Sequence, residues 1–197
     1  MISKPPGLPF LIVFSAVATV ILIWASYPYW DKFEMFLLGV PVGMLLLAYW
    51  AIRMVWAEHK GTLADDLKYR WILPFVIAGG VMLALVTDTP FWIRFTLSES
   101  SMEAYAKTVV VSPSHKEPCQ WAGLYYVCDG SQYHDGVTGE ALPGSAQFGV
   151  RDWFLDGNNG FIWLPTGEPN DIAGEYGESY SYLKDCWYSY KGGWDGR

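Results

Sequence analysis

Residues 8–27 read LPFLIVFSAVATVILIWASY, residues 35–56 MFLLGVPVGMLLLAYWAIRMVW and residues 71–91 WILPFVIAGGVMLALVTDTPF. Each run is about 20 residues long, the length at which an α-helix crosses roughly 30 Å of hydrocarbon. Between Phe10 and Ala25 the only polar side chains are Ser15 and Thr19, whose hydroxyls can bond back to their own helix. None of the three runs carries a polar stripe at helical spacing, which a helix at a protein–water surface needs. The expectation is a membrane α + β protein with three transmembrane helices, about 8–27, 35–56 and 71–91, within a domain of residues 1–97. A short helix and a small antiparallel β-rich extracytoplasmic domain over residues 98–197 follow. The first run has a weakly charged start at Lys4 and no clean pair of small residues around Ala25–Pro28, so it is read as an uncleaved span.

Working outward, the loop between the second and third runs holds Arg53, Lys60, Lys68 and Arg70, whereas the loop between the first and second holds only Lys32. Lys and Arg beside span ends resist translocation, which places the longer loop and the N-terminus in the cytoplasm and the C-terminal domain outside. Trp24, Tyr27, Tyr29, Trp30, Trp50, Trp56, Trp71 and Trp92 lie near the ends of the runs, as amphipathic rings at a headgroup layer would. Charge divides the same way. Residues 1–97 hold seven Lys/Arg against six Asp/Glu, and residues 98–197 hold six against fourteen, within a net charge of -7 for the chain. Such an acidic domain excludes nucleic acid as a partner and disfavours anionic headgroups.

No ionisable residue occupies the centre of a run, and Arg53 and Asp88 sit near ends, so ion or proton transport is not indicated. Gly39, Pro41 and Gly43 in the second run and Gly79 and Gly80 in the third are candidate helix-packing positions, because small residues let backbones approach. Pro74 lies in the third run as well.

Beyond the runs, Ser100 followed by Glu103 fits a capping box, and Met102, Tyr105 and Ala106 make an apolar face, which predicts a helix over about 99–108. Short apolar runs alternating with turn residues then predict strands at Val109–Val111, Gly123–Cys128, Gln147–Phe154, Gly160–Leu164 and Ser179–Tyr190. Turns are expected at Asp129-Gly130, Asp156–Gly160 and Pro165–Asn170. All three cysteines fall in the domain assigned to an oxidising compartment. With Trp121–Val127 read as one extended stretch of about 30 Å, Cys119 and Cys128 are too far apart to join. The candidate disulfide is therefore Cys186 with Cys119 or Cys128.

Chemistry-bearing motifs are sparse. His115 and His134 lie in expected loops with no nucleophile at a recognisable spacing, and no zinc, phosphate-loop or haem-attachment pattern occurs, so no catalytic residue, metal or cofactor is expected. Asp156–Gly160 starts like a calcium loop but has Phe161 and Gly167 where an EF-hand needs glycine and an acid. The C-terminal rings form the candidate interaction surface: Trp163, Tyr180, Tyr182, Trp187, Tyr188, Tyr190 and Trp194. Residues 180–194 carry more rings than one sheet face hides, and exposed Trp and Tyr favour protein interfaces and carbohydrate-like ligands.

The words Arg70–Pro74, Arg94–Glu99, Ala122–Tyr125, Gly160–Trp163 and Cys186–Tyr188 together resemble a family of uncharacterised small membrane proteins seen mainly in actinobacteria. The resemblance spans about residues 68–190 and implies a bacterial plasma membrane, without an activity. The functional expectation is a non-enzymatic membrane protein, in contact with lipid and with another membrane or extracytoplasmic protein, either as an accessory subunit or as an immunity-type protective factor. The alternative is a ligand receptor, or an anchored enzyme, using Asp171, Glu175 and Glu178 beside Trp163 or Trp187.

Overall fold

The computed structural model describes residues 7–28, 32–59, 68–111, 118–134, 140–151, 159–165 and 179–191. The chain divides into two compact units, Met1–Trp92 and Ile93–Arg197. The first is helical: α1 (Leu8–Trp24), α2 (Lys32–His59) and α3 (Lys68–Val86). A fourth helix, α4 (Thr89–Val111), and six strands follow.

These elements correct the expected three spans followed by a small domain. None of the described helices is alone both long and apolar enough to cross a membrane. Trp71–Val86 and Thr89–Val111 reach that length and composition only as a pair. The causes are local. After Trp24, α1 gives way to a turn closed by the Ala25 N–H on the Ile21 carbonyl and the Ser26 N–H on the Ile23 carbonyl, just before Pro28. The third apolar run is cut at Thr87-Asp88. The Thr87 hydroxyl donates back to the Leu83 carbonyl (2.8 Å), Asp88 takes the left-handed conformation (φ 48°), and Pro90 suits the first turn of α4.

In the first unit α1 contacts both α2 and α3. A small aromatic core joins Trp50 and Ala57 of α2 to Trp71 of α3, with Phe10 of α1 and Met54 packed against it. The Trp50 and Phe75 rings meet edge to face at 4.2 Å. Apart from this core, the helices leave large apolar side chains outside: Val20, Leu45, Ile52, Val76, Leu83 and Val86 are all exposed.

The second unit packs α4 on one face of an antiparallel sheet. Its strands are β1 (Gln120–Ala122), β2 (Tyr125–Ser131), β3 (Ala146–Val150), β4 (Asn159–Trp163), β5 (Ser179–Lys184) and β6 (Trp187–Lys191), in the order β1-β2-β3-β4-β6-β5. Phe95, Ser98, Met102, Tyr105, Ala106 and Val109 recur every three or four residues and form the buried stripe of α4. The expected helix at 99–108 is thus the middle of a longer one. The expected strand at Val109–Val111 is its last turn, because Val109 belongs to the stripe.

Opposite this stripe lie Tyr125, Val127, Phe148, Phe161 and Trp187, which cross-strand register places on one sheet face. Phe95 meets Phe161 at 5.8 Å and Trp187 at 6.1 Å, and Tyr105 meets Phe148 at 5.2 Å, edge to face. Burying one such ring contributes roughly 1.5–3 kcal/mol. The other face carries a second cluster of Tyr133, Ile162, Leu164, Tyr188 and Tyr190, with Leu142 and Tyr180 against it.

The stretch Trp121–Val127, read as extended, and the expected strand Ser179–Tyr190 both fold back as hairpins. Gly123-Leu124 turns β1 into β2, with Gly123 at φ 68°, and Asp185-Cys186 turns β5 into β6, with Asp185 at φ 51°. The first turn overturns the disulfide expectation. Pairing of Gln120 with Val127 sets Cys119 opposite Cys128, their Cα atoms 4.1 Å apart, and these two are bonded. Cys186 keeps a free thiol. Asp129-Gly130 is no turn but a bulged part of β2, with Asp129 at φ 56°. Of the other expected turns, Asp156–Asn158 and Thr166–Asn170 lie outside the described residues.

Candidate functional site

Alternation along β5 and β6 decides where the C-terminal rings go, since neighbours in a strand point to opposite faces. Trp187 faces α4 and is buried among Phe95, Phe148 and Phe161, and Trp163, its cross-strand partner, is half-buried on that side. Tyr188 and Tyr190 face the other way and are buried too, while Tyr180 is half-buried against Tyr133. The Tyr190 ring lies over Gly160: a Cβ there would come within 2.7 Å of it. Glycine on β4 leaves room for that ring and for the Phe148 carbonyl oxygen of the neighbouring strand, which a Cβ would meet first.

Of the seven rings expected to form a surface, Tyr182 alone among the described ones is widely exposed, at 62 %, on edge strand β5. It rests edge-on against Tyr188 at 5.4 Å. Trp194 lies outside the described residues, as do Asp171, Glu175 and Glu178 of the cleft alternative. The helix-packing candidates are equally informative. Gly39 is half-buried and Pro41 exposed within α2, and a Cβ on Gly43, Gly79 or Gly80 would meet nothing within 4 Å. No described part of the chain packs closely on those three glycines.

A surface that sequence reasoning passed over stands at the β1–β2 turn. Arg94 of α4 donates from Nη2 (2.6 Å) and Nε (3.2 Å) to the Leu124 carbonyl, with its guanidinium 4.3 Å from the centre of the Tyr125 ring. The Leu124 N–H donates to the Ser98 hydroxyl at 2.9 Å. These bonds clamp the turn to α4 so closely that a Cβ on Gly123 would sit 2.6 Å from the Ser98 Cα. The side chains left outside are apolar: Leu124 at the tip, Trp121 (67 %) in β1 with its ring 5.3 Å from Tyr126, and Ile93 and Leu97 (65 %) on α4. The available signal was the helical period, which sets Ile93 and Leu97 on one stripe apart from the buried one.

Charged groups of the second unit pair at its surface. Lys184 meets both oxygens of Glu99 at 3.1 and 3.2 Å, and that hydrogen bond and charge raise the lysine above its usual range. Arg151 pairs with Asp129 at 2.9 Å and Lys107 with Glu103 at 2.7 Å. Among the described residues no three His, Cys, Asp or Glu side chains converge as metal ligands would. His134 bridges to Ala141, and His115 and Asp135 lie outside the described residues. Compared with protein-family models, curated proteins and solved structures, the chain finds no match.

Proposed function

We propose that this chain is a non-enzymatic membrane-associated protein that holds a disulfide-closed α + β domain at the outer face of a bacterial plasma membrane for contact with another protein. The observation that carries the proposal is the apolar exterior of α1, α2 and α3. Each large side chain such as Leu45, Val76 or Leu83 left in water forgoes about 1.5–3 kcal/mol, a cost that lipid removes. Two features of the second unit support the outward placement: the Cys119–Cys128 bond, which suits an oxidising compartment, and the acidic balance of residues 98–197. Its protein-facing element is strand β5, the last in the sheet among the described residues, where Tyr182 offers an exposed ring beside an edge that no described strand pairs. An accessory subunit and an immunity-type factor both use such a contact, and the partner's identity separates them.

The experiment is photocrosslinking in native membranes from a photoreactive residue at position 182, with one at position 104 as control. The expected result is a discrete protein adduct from position 182 alone. Adduct at neither position, in membranes that retain the chain, would overturn the contact.

A further inference from the structure

Resting on the membrane reading above, we infer that the β1–β2 turn and the adjoining stripe of α4 form a lipid anchor: Trp121, Leu124, Ile93 and Leu97 enter the headgroup layer and the outermost acyl chains. At 100° per residue, Ile93 and Leu97 fall on the side of α4 next to Arg94 and Ser98, the two residues that clamp Leu124. Leu124 therefore lies beside Ile93 and Leu97, while Trp121, three residues before it in the hairpin, faces away from α4 with Tyr126, so that the turn carries apolar side chains on both sides. Exposed character along α4 changes abruptly at the clamp. Before it come Trp92, Ile93, Thr96 and Leu97; after it come Ser100, Ser101, Ala104, Lys107 and Thr108, with one large apolar side chain, Val111, exposed at the far end of the helix.

Lipid is the occupant that this step in polarity fits, for three reasons. The apolar end is the one by which the chain enters the domain from α3, whose Leu83 and Val86 are exposed. Tryptophan at the rim of such a patch is the residue type that prefers a half-wetted headgroup layer. Arg94 has its head engaged by a carbonyl and a ring, so among the described residues at the patch no cation is turned outward to an acidic partner. The anchor fixes the sheet at a set height over the bilayer, with the Cys119–Cys128 bond holding the base of the hairpin closed.

The test uses full-length protein in phosphatidylcholine vesicles, with Cys186→Ser and the native disulfide intact. Nitroxides are attached in turn at Leu124→Cys, at Ala104→Cys on the polar half of α4 and at Leu83→Cys in α3, with Trp121→Cys as a second anchor site. Collision with oxygen, which concentrates in hydrocarbon, is compared with collision with a water-soluble nickel chelate. The expected oxygen-to-chelate ratio at 124 and 121 is several-fold above that at 104 and below that at 83. A ratio at 124 and 121 equal to that at 104, with a lipid-like ratio at 83, overturns the anchor and leaves the membrane reading standing. A label at 124 shielded from both reagents also overturns it, by showing a protein cover. A water-like ratio at 83 as well overturns both.

Discussion

Gly123 concentrates two demands on one residue: a left-handed backbone (φ 68°) and room for Ser98, whose Cα would lie 2.6 Å from an added Cβ. Gly149 is the natural comparison, because a Cβ there would have nothing nearer than 3.8 Å and its φ is ordinary. Gly123→Ala should therefore destabilise the second unit by about 2 kcal/mol or more, combining the left-handed penalty with displacement of α4 from the turn. Gly149→Ala should cost less. Thermal unfolding followed by near-ultraviolet circular dichroism, which reports the packed rings, checks the pair. Equal midpoints for the two variants would show that the turn is not clamped to α4.

At the scale of elements, the hairpin β1–β2 depends on its closure at Cys119–Cys128. Opening that bond frees a chain segment of nine residues' separation, which in the chain-entropy account weakens the fold by about 2–3 kcal/mol. Reduction, or Cys119→Ser with Cys128→Ser, should lower the unfolding midpoint by that measure and raise amide exchange first in β1 and β2. Uniform exchange across all six strands would argue against a local role. This hairpin also shows what the sequence concealed. Gly123-Leu124 sits inside an unbroken apolar run, Trp121–Val127, and Asp185-Cys186 lacks the usual Asn-Gly signal, so each hairpin reads as one long strand. Once Trp121–Val127 is taken as straight, the true disulfide looks impossible. Strands β2, β3 and β4 were legible as short apolar runs, although β2 continues through Asp129-Gly130 to Ser131, β4 is offset by one residue, and Asp152–Phe154 of the expected Gln147–Phe154 strand lie outside the described residues. The ring surface was misjudged for a related reason. Two strands have two faces, and with α4 on one and Tyr133, Leu142 and Leu164 on the other, three of the six described rings are core and two more are half-buried.

For the whole molecule, the apolar runs were read correctly as helical and incorrectly as three simple spans. Hydropathy averages over Thr87-Asp88, where a threonine back-bond and a left-handed aspartate divide the third run into parts of α3 and α4. The same average cannot show which apolar side chains turn outward, and that is the property on which the account depends. Carbene labelling from a lipid-soluble diazirine in native membranes measures it directly. Modification is expected on peptides carrying Leu45, Ile52, Val76 and Leu83 and not on the buried sheet residues Phe148 and Phe161, with the chain retained through an alkaline carbonate wash. Unlabelled α2 and α3, with the chain released into the wash, would contradict it.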